Sequence, residues 1–404
     1  MSYPIISLLP GRDVPVRAGH PWIFSKAISK EPKPAPAHGE VVLVQSAQGE
    51  ALGFGTWGAG ASIRIRMLTN DVQAVINTDW FVTKIRAIDT WKQAHLPAKT
   101  NGYRVVHAES DGIAGLIVDR YADVLVFQLH TAGMDRFRES IIDALKTVFQ
   151  PTAIVERSDI EARVRDGLEM VDPVVRYGSL EQLTEFTEHG LTFFADVLHG
   201  QKTGFFLDQR DARHLVGTLS KDKRVLNLFG YTGGFSVHAA HGGASFVSTV
   251  DVSEPALLIA QQTLRANGFD PEDESTQLLL EADVMDLLAR REIEGAPYDL
   301  IVCDPPAFAK TGTQAENALE AYTKLNMSCL MRLAPGGILV TSSCSGRVSA
   351  EDFKSMLRIA AGRAGRDIRL IAELGQPIDH AERIAFPEGR YLKTLVVEVT
   401  NVIK

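Results

Sequence analysis

From residue 224 onward the chain alternates between strand-like and helix-like segments, and this constrains its fold more than any other feature. Arg224–Gly230 reads as a strand, and Gly233–Gly243 as a helix closed by glycines. Ser245–Ser253 is a strand, and Pro255–Gly268 a helix with Gly268 as its stop. Strands follow at Leu278–Asp283, Asp299–Pro306 and Gly337–Ser343, with helices at Ala315–Leu333 and Ala350–Gly365. Two strands, Arg369–Leu374 and Leu392–Val399, close the series. Alternation of this kind predicts an α/β, doubly wound sheet, which takes its ligands at the carboxyl ends of the strands.

The first half is different. Glu40–Gln45, Ala51–Trp57 and Ser62–Leu68 are short β runs separated by glycine-marked turns, and the last has clean period-two alternation. They predict a small β-barrel over residues 1–75. That stretch carries seven Lys or Arg against five Asp or Glu, within a chain of net charge -8. A locally basic module with Trp22, Phe24 and Trp57 as stacking faces suits a nucleic acid, which responds to the local field and not to the total. Residues 76–185 combine two amphipathic helices with strands and read as an α+β middle domain, leaving 186–404 for the alternating sheet. Arg157 and Arg163 in the middle domain are candidate RNA contacts, with a surface ion-pair face as the plainer reading.

Several classes are excluded. At 45% hydrophobic the 404-residue chain has ample core material, yet no apolar run approaches the roughly 18–20 residues needed to span a bilayer. Met1–Asp13 lacks a basic stretch leading into an apolar one, so no secretory signal is expected. Cys303, Cys329 and Cys344 lack metal-ligand spacing and are too few for a disulfide framework, so no metal is expected and a reducing cytoplasmic setting fits.

The loop after the first strand of the alternating region, Asn227-Leu-Phe229-Gly230-Tyr231-Thr232-Gly233-Gly234, lets backbone approach a ligand before turning into a helix. Its spacing is not G-x-G-x-x-G, which argues against a nicotinamide dehydrogenase. Asp251 ends the next strand, where a carboxylate accepts from ribose hydroxyls, and Asp283 ends the third, within reach of an adenine amino group. The fourth strand runs into Asp304-Pro305-Pro306-Ala307-Phe308. Two prolines hold the backbone extended and the carboxylate at the strand tip, and Phe308 can wall a flat base. His238 and His241 lie in a helix and read as packing or solvated residues.

These motifs, together with Thr341-Ser-Ser-Cys344-Ser-Gly346, resemble those of class I S-adenosylmethionine-dependent methyltransferases. Within that class the chain is similar to the bacterial 23S ribosomal RNA cytosine-C5 methyltransferase family, which carries an N-terminal PUA domain. The likeness includes Leu9-Pro-Gly-Arg12, Gly19–Phe24, Glu109–Tyr121 and His199–Arg210, and so runs along nearly the whole chain. It implies a Rossmann-like methyltransferase domain behind a PUA-like barrel, S-adenosylmethionine as cofactor, large-subunit ribosomal RNA as partner, and a homodimer. It also implies that Thr203, Phe205, Gln209 and Arg210 line the cofactor site, with Arg210 facing the methionine carboxylate. Cys344, at the exit of the strand that faces the same pocket as Asp304, matches the family's nucleophile. Cys303 points to the opposite face from Asp304 and Cys329 lies on an apolar helix stripe; both read as core. Ala307 stands where many cytosine-C5 RNA methyltransferases carry a second cysteine for product release, although the large-subunit subfamily also lacks it. Two other functions fit the same motifs: methylation of a guanine at N7 or its exocyclic amine, and a non-catalytic RNA-binding assembly factor.

Overall fold

A computed structural model describes residues 3–180, 183–290, 297–308 and 315–402. The chain forms two compact units: residues 1–187, 195–207 and 378–389 make the first, and residues 188–194, 208–377 and 390–404 the second.

The first unit opens with β1 (Ile5–Ser7), the single-turn α1 (Val14–Arg17), β2 (Trp22–Phe24), β3 (Val41–Gln45), β4 (Ala51–Trp57) and β5 (Ile63–Thr69). The strands form one five-stranded sheet in the order β1-β3-β4-β5-β2. Alternate residues point inward, so Val42, Val44 and Ile65 join Ile6, Leu8, Ile23 and Trp57 in a small core. Trp57 is therefore packing material, 1% exposed, and not the stacking face expected of it. Trp22 is half-buried, its Nε1 donating to Glu109 Oε1 at 2.8 Å, while Phe24 remains exposed.

After α2 (Thr78–His95), capped by the Asn77 side chain on Trp80 N, come β6 (Gly102–His107), β7 (Leu116–Tyr121) and β8 (Val124–Leu129). Then follow α3 (Ala132–Arg136), α4 (Arg138–Phe149), β9 (Ala153–Glu156), α5 (Glu161–Arg165) and β10 (Val174–Gly178). The second sheet runs β10-β9-β8-β7-β6. Phe81 and Ile85 of α2 pack with Val105, Val118, Phe127, Ile141 and Leu145. Arg157 and Arg163 are buried. Arg157 binds Asp159 and the carbonyls of Val197 and Gly200, and Arg163 binds the carbonyls of Leu129 and Glu169. Both hold loops in place, so the RNA contact considered for them is corrected.

A two-stranded sheet of β11 (Thr184–Glu188) and β12 (Leu191–Ala195) comes next. The second unit then runs α6 (Arg210–Leu219), β13 (Arg224–Leu228), α7 (Gly234–His241), β14 (Phe246–Asp251), α8 (Glu254–Ala266) and β15 (Gln277–Glu281). It continues with α9 (Val284–Arg290), β16 (Tyr298–Cys303), α10 (Ala315–Arg332), β17 (Leu333–Ser343), α11 (Ala350–Ala364), β18 (Arg366–Leu374) and β19 (Lys393–Val402). Seven strands form one sheet in the order β15-β14-β13-β16-β17-β19-β18. The first five are parallel and β19 runs against both its neighbours, so the sheet is mixed at one edge. Strand order reverses between β13 and β16, the switch point where such sheets open a crevice.

Candidate active site

Register fixes which residues share the crevice edge. Leu228 of β13 lies beside Val250 of β14 and Cys303 of β16, and Cys303 lies beside Thr341 of β17. Phe229, Asp251, Asp304 and Ser342, one residue further along, therefore lie level with one another at the carboxyl ends of strands about 4.8 Å apart, Asp251 still paired with β15 and Ser342 with β19.

The loop after β13 is held in an unusual path. Phe229, Tyr231 and Gly233 have φ of 59°, 47° and 77°, a left-handed conformation that two aromatic residues adopt only when their surroundings impose it. Gly230 N donates to Val250 O at 2.9 Å and Tyr231 N to Asp251 Oδ2 at 2.7 Å, while Asp251 Oδ1 accepts from Ser253 N at 2.9 Å. Asp251 thus anchors the loop as well as standing at the strand end. A Cβ at Gly230 would sit 2.5 Å from Thr249 Cγ2, so only glycine fits there. Beneath the loop, Asn227 Nδ2 donates to Ser236 Oγ at 2.9 Å, and Ser236 Oγ lies 2.6 Å from Thr249 Oγ1.

Three buried polar atoms of this unit, Asn227 Oδ1, Thr232 Oγ1 and Gln209 Oε1, have no hydrogen-bond partner among the described residues. Leaving such an atom dry and unpaired costs about 1–3 kcal/mol each, a deficit that a polar ligand removes. All three belong to the segments expected to bind the cofactor, so the residues present fit an adenosyl amino acid.

The remaining candidates divide. Arg210 is 1% exposed at the start of α6, its Nε 3.6 Å from Asp211 Oδ1. Asp283 is exposed, and its Oδ1 accepts from Asp286 N at 3.0 Å, so it caps α9. One oxygen serves the helix, leaving the other as the group that could meet an adenine. Thr203 and Phe205 belong to the first unit. The Thr203 hydroxyl donates to Asp119 Oδ2 at 2.7 Å and lies 2.9 Å from Tyr121 Oη, while Arg104 grips Asp119 through two nitrogens. That hydroxyl is thus committed to a buried network. Phe205 packs edge-on to Phe186 at 5.1 Å.

At the tips of β16 and β17 the structure adds two residues that the sequence did not single out. Tyr322 of α10 is fully buried, with Phe308 at 4.8 Å and Phe353 at 5.4 Å edge-on to its ring, and its hydroxyl accepts from Ser343 Oγ at 3.0 Å. Burial pushes its phenol up to about 12, and Cys344, Asp304 and Cys303 are each close enough to add to that rise. Tyr322 is therefore a neutral hydroxyl among the groups proposed for catalysis. Lys393 opens β19 opposite Ser343, and its Nζ donates to Ser345 O at 2.5 Å and Val348 O at 2.7 Å, tying down the loop that carries Cys344. Burial lowers its pKa to about 8, against the opposing pull of Cys344. At neutral pH Lys393 is therefore mainly a cation, held against the loop that carries Cys344.

Cys344 is half-buried, while Cys303 and Cys329 are fully buried. Burial, and then Cys329, pushes the Cys303 thiol well up, so it stays neutral in the core as expected. His238 also packs as expected. It lies 3.0 Å from Glu188 Oε1, on a carboxylate that Arg213 grips with two nitrogens.

A mixed seven-stranded sheet with a glycine-bearing loop after its first strand and carboxylates at successive tips is the class I S-adenosylmethionine-dependent methyltransferase fold. Residues 171–380 match the family model of S-adenosylmethionine-dependent methyltransferases, and residues 6–70 that of a PUA-like domain. The chain belongs to that methyltransferase family and depends on S-adenosylmethionine. It is 41% identical over 396 residues to ribosomal RNA large subunit methyltransferase I of Shewanella amazonensis, spanning 98% of this chain and 99% of that one. It is 39% identical over 390 residues to the protein of the same name from Photobacterium profundum, spanning 96% and 97%. Among solved structures, a Streptococcus mutans chain assigned as a SAM-dependent methyltransferase superposes with a TM-score of 0.80 at 22% identity, over 98% of this chain and 100% of that one. A methyltransferase complexed with SAH gives 0.81 at 22% identity, over 99% and 100%. No helix among the described residues is long and apolar enough to cross a membrane.

Proposed function

We propose that this protein methylates C5 of a cytosine in large-subunit ribosomal RNA, in the cytoplasm, through a covalent adduct on Cys344. The observation that carries the reading is Cys344 half-buried just past the tip of β17, the strand beside the one that ends at Asp304, on a loop tied down by Lys393, while the other two cysteines are sealed in the core. The names of the full-length relatives support ribosomal RNA as the substrate class.

Asn227, Gly230, Thr232, Asp251 and Gln209 would hold the cofactor, Arg210 would face its carboxylate, and Asp283 its adenine. When bound, S-adenosylmethionine supplies an electrophilic methyl group. Cys344 adds its thiolate to C6 of the cytosine, forming an S–C6 bond and pushing the C5=C6 electron pair onto C5, which becomes the nucleophilic carbon. Asp304 at the neighbouring tip hydrogen-bonds the base edge and favours the polarised ring. Once C5 carries the methyl group, a base removes the C5 proton. The electron pair re-forms C5=C6 and expels the Cys344 thiolate. The target base has to leave any stacked helix to reach this crevice, and Phe308 offers it an aromatic wall.

Nucleoside mapping of ribosomal RNA from cells lacking the protein tests the reading. Loss of one 5-methylcytidine from large-subunit RNA is expected. Loss of a methylguanosine instead, or no change, would refute it.

A further inference from the structure

The first unit contains a pocket of about 150 Å³ whose lining includes Arg17, His20, Asn70, Lys84, Gly112 and Arg383, and no acidic residue. Two of its basic groups are already matched: Arg17 by Asp13 and Glu50, and His20 by Glu388 at 3.5 Å. Lys84 and Arg383 are not, for no carboxylate among the described residues lies within ion-pair distance of either. Lys84 Nζ stands 5.7 Å over the Trp80 ring. Burial, and then the charge of Arg383, make its protonated form less favourable than in water. Both cationic heads lie against glycine backbone. A Cβ on Gly19 would come within 3.3 Å of Arg383 Nη2, and one on Gly112 within 3.8 Å of Lys84 Nζ. With glycine at both positions, no side chain stands against either head there.

Two like charges facing a concave, acid-free space repel each other until an anion enters, and a guanidinium fork beside an ammonium suits a phosphate group. We propose that this pocket seats a phosphodiester of the RNA substrate between Lys84 and Arg383. The proposal rests on the reading of this chain as an RNA methyltransferase and adds a place where the RNA backbone is gripped. Phosphate contacts set position and register without reading sequence. The pocket therefore governs affinity and not the identity of the methylated nucleotide.

The test uses the full chain and a labelled fragment of large-subunit ribosomal RNA, with binding measured across a salt series. Removing one phosphate-binding cation should flatten the plot of log K against log salt by about 0.7–0.9. Lys84→Met and Arg383→Met are each expected to flatten it by about that amount and the double variant by twice as much, with affinity at low salt falling roughly tenfold per cation removed. Lys84→Arg should restore the slope, and SAH affinity should match the unaltered protein throughout. Lys30→Met, which removes an exposed charge from the same unit, should leave the slope unchanged. Wild-type slopes in the pocket variants, or an equal effect in Lys30→Met, would overturn the site. So would tight calorimetric binding of inorganic phosphate with no effect of the variants on RNA. An unaltered protein that binds no RNA at all would instead overturn the RNA reading on which the proposal rests.

Discussion

Gly230→Ala probes the cradle at the end of β13 most cleanly, because the effect expected is purely steric. Gly230 is not in a left-handed conformation, so alanine brings no backbone strain there. The added methyl would instead lie 2.5 Å from Thr249 Cγ2 and 3.2 Å from Asn227 Nδ2. Ordinary carbon contacts begin near about 3.5 Å, so the loop or the strand has to yield by about 1 Å. Thr249 is fully buried in β14 and bonded to Ser236, which in turn holds Asn227, so the strand is the stiffer side. Overpacking of this kind costs about 1–3 kcal/mol. If the loop takes up that displacement and loses its complementarity, SAH affinity falls roughly five- to 150-fold, which calorimetry reads directly. Thr249→Ser removes the offending methyl and keeps the hydroxyl, so the double variant Gly230→Ala/Thr249→Ser should recover most of the loss. Unaltered SAH binding in Gly230→Ala, or no recovery in the double variant, would refute the reasoning.

Other perturbations carry equally definite outcomes. Lys393→Met should lower turnover at pH 7 about tenfold and move the acid limb of the pH–rate profile upward, because the positive charge that interacts with Cys344 is gone; Lys393→Arg should restore both, and an unmoved limb would contradict the role. Tyr322→Phe removes the acceptor of Ser343 Oγ while keeping the ring between Phe308 and Phe353, so kcat should fall severalfold with SAH affinity unchanged. Burial holds His130 and His189 near pKa 4 in the folded chain, below the ordinary 6.5. The unfolded chain therefore takes up protons first as pH falls from about 6.5 towards 4, and the melting temperature should drop between pH 7 and pH 5. A flat melting temperature across that window would be the contrary result.

Much of the second unit was legible because periodicity and punctuation coincide there. Gly233 marks the start of α7, Gly268 follows the end of α8, and Asp251 ends β14. The antiparallel course of β19 was not legible, since an apolar strand reads the same in either direction. The ten-residue α6 went unread because its buried face is built partly from Arg210 and Arg213, which look like solvent residues in a sequence. Arg157 and Arg163 misled for the same reason: a guanidinium that satisfies carbonyls inside a loop has no local mark distinguishing it from one that meets RNA. Tyr322 lies on the apolar stripe of α10 with Leu325 and Cys329, so its hydroxyl was hidden among core residues. The only sign of Lys393 was a lone cation at the start of an apolar strand, and only the fold brings it to the loop that carries Cys344.

The central claim is that one sulfur atom forms a bond to the pyrimidine. Its most direct test is to incubate purified protein with S-adenosylmethionine and unmodified large-subunit ribosomal RNA, then digest the RNA and weigh its nucleosides. The unaltered protein should yield 5-methylcytidine, and Cys344→Ala should yield none while binding SAH with undiminished affinity. Full turnover by Cys344→Ala, or a methylguanosine as the product, would contradict the account.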